Sequence, residues 1–166
     1  VVRNLIFVGL PGSGKSTVGR LCAKALNLPF VDADKFLEQR EGRSVADIFA
    51  SSGEGYFRDL ESRVLAELCR REGIVLATGG GAVLRRENRT LLKGSGLVIF
   101  LDRSPWAIRR TLRRQGRPLL TDDGAIFRLA RQRRDLYRAA AHHSVNKSTA
   151  RQAAEEAVRL WREEQT

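Results

Sequence analysis

Nine residues near the start of the chain, Gly9-Leu10-Pro11-Gly12-Ser13-Gly14-Lys15-Ser16-Thr17, have the types and spacing that hold a polyphosphate. Glycines let backbone N–H groups turn toward an anion with no Cβ in the way. In a G-x-x-x-x-G-K-[ST] loop the lysine, here Lys15, reaches the β- and γ-phosphates, and the hydroxyl of Ser16 is a ligand for Mg2+. Four further groups carry chemistry. Asp32 and Asp34 stand two apart just after the apolar pair Phe30-Val31. Arg58 and Glu61 are three apart and can pair on one helix face. Thr78-Gly79-Gly80-Gly81 offers bare backbone, and Gln115 to Gly124 is a polar stretch with Arg117-Pro118 inside it.

These residues need elements to position them. Leu5-Ile6-Phe7-Val8 reads as a strand that feeds the glycine loop, and Val18, Leu21, Cys22, Ala25 and Leu26 follow the stripe of a helix with one buried face. That helix adds its positive dipole end to the anion site. Phe30-Val31 reads as a short buried strand that delivers Asp32 and Asp34 at its C-terminal end, the edge where open α/β sheets bind ligands. The plainer alternative for Asp34 is an N-cap for a helix over Lys35 to Arg40. Ser44 with Asp47 reads as a capping box opening a short helix, broken at Ser51-Ser52-Gly53. A longer helix from Glu54 to Arg71 turns Phe57, Leu60, Val64 and Leu68 inward. On it, Arg58 and Glu61 either satisfy one another structurally or frame a site.

Ile74-Val75-Leu76-Ala77 and Leu97-Val98-Ile99-Phe100-Leu101 read as strands buried on both faces of a parallel sheet. The glycine triplet between them is either a loose turn or a place where something approaches the backbone closely. A weak helix is expected over Arg86 to Lys93. Ser104-Pro105 marks an N-cap with Pro at N1, opening a helix through about Arg114. The stretch to Gly124 then has the makings of a lid. A helix with Ile126, Leu129, Leu136 and Ala140 carries Tyr137-Arg138. Ser144-Val145-Asn146 reads as a weak last strand, and Thr149 with Gln152 caps a final helix. Alternating strands and helices give an α/β class with a mainly parallel, five-stranded sheet and one domain over 1–166.

Composition narrows the rest. The 166 residues are 42% hydrophobic and 30% charged, ordinary for a globular domain. No apolar run approaches the ~18 residues of a membrane span, and the chain enters a strand at once, so neither a transmembrane helix nor a signal peptide is expected. Cys22 and Cys69 have no metal-ligand spacing and read as small core residues in a reducing compartment. The net charge of +11 fits either a nucleic-acid surface or a site for small polyanions. Many arginines (Arg109-Arg110, Arg113-Arg114, Arg131, Arg133-Arg134) fall on stretches that read as solvated helix faces. Aromatic residues, at 7%, do not interleave with them as a stacking platform would.

Taken together in this order and spacing, the glycine loop, Asp32-x-Asp34, Gly53-Glu54-x-x-Phe57-Arg58-x-x-Glu61, Gly79-Gly80-Gly81, Arg117-Pro118-Leu119-Leu120 and Leu136-Tyr137-Arg138 resemble the shikimate kinase family over essentially the whole chain. The resemblance implies a three-layer α/β/α P-loop kinase fold with sheet order 2-3-1-4-5. It implies an acceptor-binding part at about 33–61, a mobile lid at about 112–124, and transfer of the ATP γ-phosphoryl group to the 3-hydroxyl of shikimate with Mg2+. It assigns catalysis to Asp34, Lys15 and Arg117. The nucleotide falls to Gly12, Ser13, Gly14, Lys15, Ser16, Thr17, Arg110 and Arg117, with Arg110 against the adenine. Shikimate falls to Asp34, Arg58, Gly79, Gly80, Gly81, Arg138, Phe49, Phe57 and Glu61, and Pro11 borders it. Metal falls to Ser16 and Asp32.

The adenine loop, Asn146-Lys147-Ser148-Thr149, departs from the family pattern, which often has Arg and Pro there. The expected protein is a cytoplasmic monomer that acts on a small molecule and binds neither nucleic acid nor membrane. Gluconate kinase shares the loop and fold but not the other motifs. An ATP-dependent RNA-binding module would rest on the +11 charge alone.

Overall fold

The computed structural model describes residues 3–114 and 124–166. Five strands pair in parallel in the order β2-β3-β1-β4-β5, with β1 at Asn4–Val8, β2 at Phe30–Asp32, β3 at Val75–Ala77, β4 at Gly96–Leu101 and β5 at His143–Val145. The continuous apolar runs become the three central strands because they are covered on both sides. Ile6, Val8, Leu76, Val98 and Phe100 face one layer of helices, and Leu5, Phe7, Val75, Leu97 and Ile99 face the other. The first layer holds α2 (Ala33–Glu41), α3 (Val45–Leu68), α4 (Arg86–Ser95) and α6 (Ala125–Ala140), with Ile108 of α5 (Pro105–Arg114) also in that core. The second holds α1 (Lys15–Leu26) and α7 (Ala150–Glu164).

Two local expectations need correction. β2 is an edge strand, so its residues are half-buried rather than buried. The inner face of α1 runs through Val18, Gly19, Cys22 and Ala23, leaving Leu21 41% exposed and Ala25 outside. Small residues win that face because α1 presses on Phe30: a Cβ on Gly19 would lie 2.7 Å from Phe30 Cε1. Asp32 caps α2, with its Oδ1 accepting from the Lys35 N–H at 3.1 Å, which removes the plainer alternative for Asp34.

The turn chemistry otherwise follows the sequence. Asn27 ends α1 in the left-handed conformation (φ 55°). Ser44, Ser104 and Thr149 accept N-cap hydrogen bonds from Asp47, Ala107 and Gln152 at 3.1 Å. Gly53 (φ 83°) makes the expected break as a kink within α3. Cys22 is buried and Cys69 half-buried, both free. Much of the positive charge is spent along helix surfaces, as where Arg159 pairs with Glu156 and Glu163, and Arg40 with Glu67. Among the described residues no helix is long and apolar enough to cross a membrane.

Candidate active site

All five strands end on the same edge of the sheet, and a cleft of about 520 Å3 opens there. The glycine loop forms its floor, with Gly12, Ser13, Gly14, Lys15, Ser16 and Thr17 all lining it. Gly12 (φ 76°) and Gly14 (φ 95°) hold backbone angles that disfavour any side chain. Gly14 sits at the start of α1 with no side-chain cap, leaving first-turn N–H groups directed at the cleft. Lys15 is buried, and its Nζ donates to the carbonyls of Gly9 (2.7 Å) and Leu10 (2.9 Å). Burial lowers its pKa to about 8, against the opposing pull of Asp34 and Asp32.

Ser16 Oγ donates to Asp32 Oδ2 at 2.7 Å. A hydroxyl and one carboxylate are hard oxygen donors, the set that suits a Mg2+ ion that keeps most of its water. They fit the metal that a P-loop calls for. No group of three or more His, Cys, Asp or Glu side chains placed to hold a metal ion occurs among the described residues.

Because Asp32 takes the cap, Asp34 is free for the cleft, which it lines within the first turn of α2. Burial raises its pKa, and Asp32 adds to the rise, with Lys15 and Arg58 pulling the other way. The glycine triplet explains itself at this point. A Cβ on Gly79 would lie 2.7 Å from Asp34 Oδ1 and 3.1 Å from Glu61 Oε2. One on Gly80 would strike the Pro11 ring at 2.8 Å, and one on Gly81 would fall 2.3 Å from Arg58 Nη1. The backbone is bare so that the acid, the base and the glycine loop can close on it; a loose turn is excluded.

Arg58 donates from Nη1 to Glu61 Oε1 at 2.9 Å, and Glu61 is only 4% exposed. Burial pushes the Glu61 carboxyl up and the Arg58 charge pulls it back. Arg58 Nε is buried without a hydrogen bond and pairs with Glu54 Oε1 at 3.5 Å. Its guanidinium sits over the rings of Phe57 (5.1 Å) and Phe49 (5.9 Å), which contact each other at 4.7 Å. The expected cluster of Asp34, Arg58, Glu61, Phe57, Phe49 and the triplet is therefore assembled.

Two arginines are not where expected. The side chain of Arg138 is 54% exposed and pairs with Asp135 at 3.9 Å. The α6 arginine that reaches the site is Arg133, one turn before Tyr137. Its charge acts on the Tyr137 phenol, on Lys15 and on Glu61. Helical geometry gives the reason: residues i and i+4 share a face, whereas i+1 lies about 100° round. Arg133 stands seven residues after the buried Ile126 and four before the buried Tyr137, a spacing that separates it from the surface arginines.

Arg110 is exposed and does not line the cleft. Arg103 does; its guanidinium donates to Thr111 Oγ1 (2.6 Å) and to the Gly12 carbonyl (3.4 Å). The far end of the cleft is closed by Asn146, Lys147, Ser148 and Thr149. Arg117 lies outside the described residues.

Comparison with known proteins agrees with this geometry. The family model for shikimate kinase matches residues 11–162. A shikimate kinase of Thioalkalivibrio sulfidiphilus is 46% identical over 165 residues, covering 96% of this chain and 87% of its own. One of Burkholderia thailandensis is 50% identical over 146 residues, covering 86% and 79%. Among solved structures, a shikimate kinase from Acinetobacter baumannii in complex with shikimate superposes with a TM-score of 0.90 at 36% identity, over 99% of this chain and 95% of that one. A gluconokinase from Sinorhizobium meliloti reaches 0.62 at 20% identity, over 97% of this chain and 92% of that one, a likeness of fold alone.

Proposed function

The chain belongs to the shikimate kinase family, and we propose that its cleft is divided at Lys15, with ATP on the side of the glycine loop and Asn146–Thr149 and shikimate on the side of Asp34, Arg58 and Gly80. The protein is an ATP:shikimate phosphotransferase.

Shikimate presents a ring carboxylate and three hydroxyls. Arg58 and Arg133 are the cations that meet the carboxylate, with the Gly80 backbone beside them. The observation that carries this reading is the Arg58 guanidinium, held 2.9 Å from Glu61 and 3.5 Å from Glu54 and packed directly against Gly81: two carboxylates fix a cation beside the backbone of the triplet. Each charge-assisted bond of this kind contributes about 1.5–3 kcal/mol. Phe49 and Phe57 wall the ring. Asp34 accepts the proton of the 3-hydroxyl as its oxygen attacks the γ-phosphorus, and the β–γ bridging oxygen leaves with ADP. A carboxylate raised by burial is the better base near neutral pH.

Lys15 trades its loop carbonyls for phosphate oxygens when ATP enters. Ser16 and Asp32 would hold Mg2+, which when bound neutralises charge on the β- and γ-oxygens. The reading keeps the expectation of a cytoplasmic monomer with one domain over 1–166.

The test is kinetic. Arg133→Ala and Arg58→Ala each raise the KM for shikimate at least about tenfold and leave the KM for ATP within about twofold. Arg138→Ala stays near the parent. Equal effects on both substrates would contradict the division of the cleft.

A further inference from the structure

Tyr137 is among the largest fully buried side chains, stacked on Phe100 at 5.2 Å, and its ring belongs to the core. Its hydroxyl does not. Tyr137 Oη reaches out of the core and donates to the carbonyl of Gly80 at 2.7 Å. Arg133, one turn earlier on α6, lies close enough for its charge to act on the same phenol. One phenol therefore stands between the middle glycine of the triplet and Arg133, the α6 arginine whose charge acts on Lys15 and Glu61.

We propose that Tyr137 is a positioning residue for the acceptor carboxylate, its hydroxyl setting the Gly80 peptide and the Arg133 guanidinium at a fixed separation. The inference rests on the reading that these two groups receive the shikimate carboxylate. Three features make the tie rigid. Gly80 cannot move toward the glycine loop, because the Pro11 ring already lies 2.8 Å from where a Cβ would be. The stack on Phe100 of β4 holds the ring from behind. Burial keeps the phenol's pKa up at about 12, so the O–H remains a donor at any pH at which the enzyme works. With the Gly80 carbonyl engaged from one side, the peptide it belongs to is held in one orientation toward the cleft.

The experiment compares Tyr137→Phe with the parent, using shikimate and a shikimate analogue whose carboxylate is reduced to a hydroxymethyl group. Phenylalanine fills the same space and keeps the stack. The expected result is a fall of about tenfold in kcat/KM for shikimate, the scale of one hydrogen bond lost at a part-buried carbonyl, with the KM for ATP within about twofold. For the analogue, the variant and the parent differ by less than about threefold. Equal losses for shikimate and analogue, or a parallel rise in the KM for ATP, would overturn the inference. So would an unchanged Tyr137→Phe alongside an impaired Arg133→Ala, which leaves the carboxylate reading itself standing. A parent enzyme indifferent to loss of the carboxylate would overturn both.

Discussion

The guanidinium of Arg58 occupies the space that a β-carbon on Gly81 would need, with Nη1 2.3 Å from that position. Gly81 is not among the positive-φ glycines, so its backbone would accept a side chain, and only the packed arginine forbids one. Gly81→Ala is therefore expected to fold and bind ATP normally while displacing Arg58 from Glu61. The KM for shikimate rises at least about tenfold, by loss of one charge-assisted contact. A variant with parental KM would show that Arg58 has room to move without cost.

Asp34→Asn keeps the shape of the carboxyl and removes the base. Turnover falls about 10²–10⁴-fold, the range for a lost general base, and ATP affinity measured by calorimetry stays within a few-fold. A near-parental kcat would remove Asp34 from the proton transfer.

The pH profile follows from two shifted groups. Lys15 must be charged to hold phosphate, and its pKa in the free protein is lowered to about 8 by burial. The kcat/KM for ATP, which reports the free enzyme, falls as pH rises through about 8. Asp34 must be ionised to act, and its pKa is raised, so the acid limb lies above the ordinary Asp value of about 4. An alkaline limb only near the unperturbed lysine value would contradict the burial of Lys15.

Gly19→Ala separates helix propensity from packing. Propensity favours Ala by about 1 kcal/mol. The added carbon would lie 2.7 Å from Phe30 Cε1, and overpacking of this kind costs about 1–3 kcal/mol. Thermal unfolding is expected to show a lower Tm with activity unchanged; a raised Tm would mean that the edge strand yields.

Much of this was legible in the residues alone, because the signals were local. The glycine loop, the apolar strand runs and the caps at Ser44, Ser104 and Thr149 each depend on a few neighbouring residues. The order of the strands came with the family resemblance, and the reason for each glycine of the triplet needed three dimensions. The partners at Gly79, Gly80 and Gly81 come from α2 and α3, from the glycine loop and from α3 respectively. Assignment of Asp34 over Asp32 as the free carboxylate depended on which of the two capped α2, a choice that spacing left open. The family resemblance points to Arg138 through the Leu136-Tyr137-Arg138 motif, whereas the α6 arginine whose charge acts on Lys15 and Glu61 is Arg133. The periodicity of α6 held the answer, in the seven-residue step from Ile126 to Arg133 and the four-residue step to Tyr137.

The most direct test is ADP release by the purified protein with Mg2+ and ATP, coupled to NADH oxidation, with shikimate and gluconate offered separately. Release that depends on shikimate, with gluconate giving no more than the rate without acceptor, is the predicted result. Turnover of gluconate in preference to shikimate, or no shikimate-dependent release at all, would contradict the account.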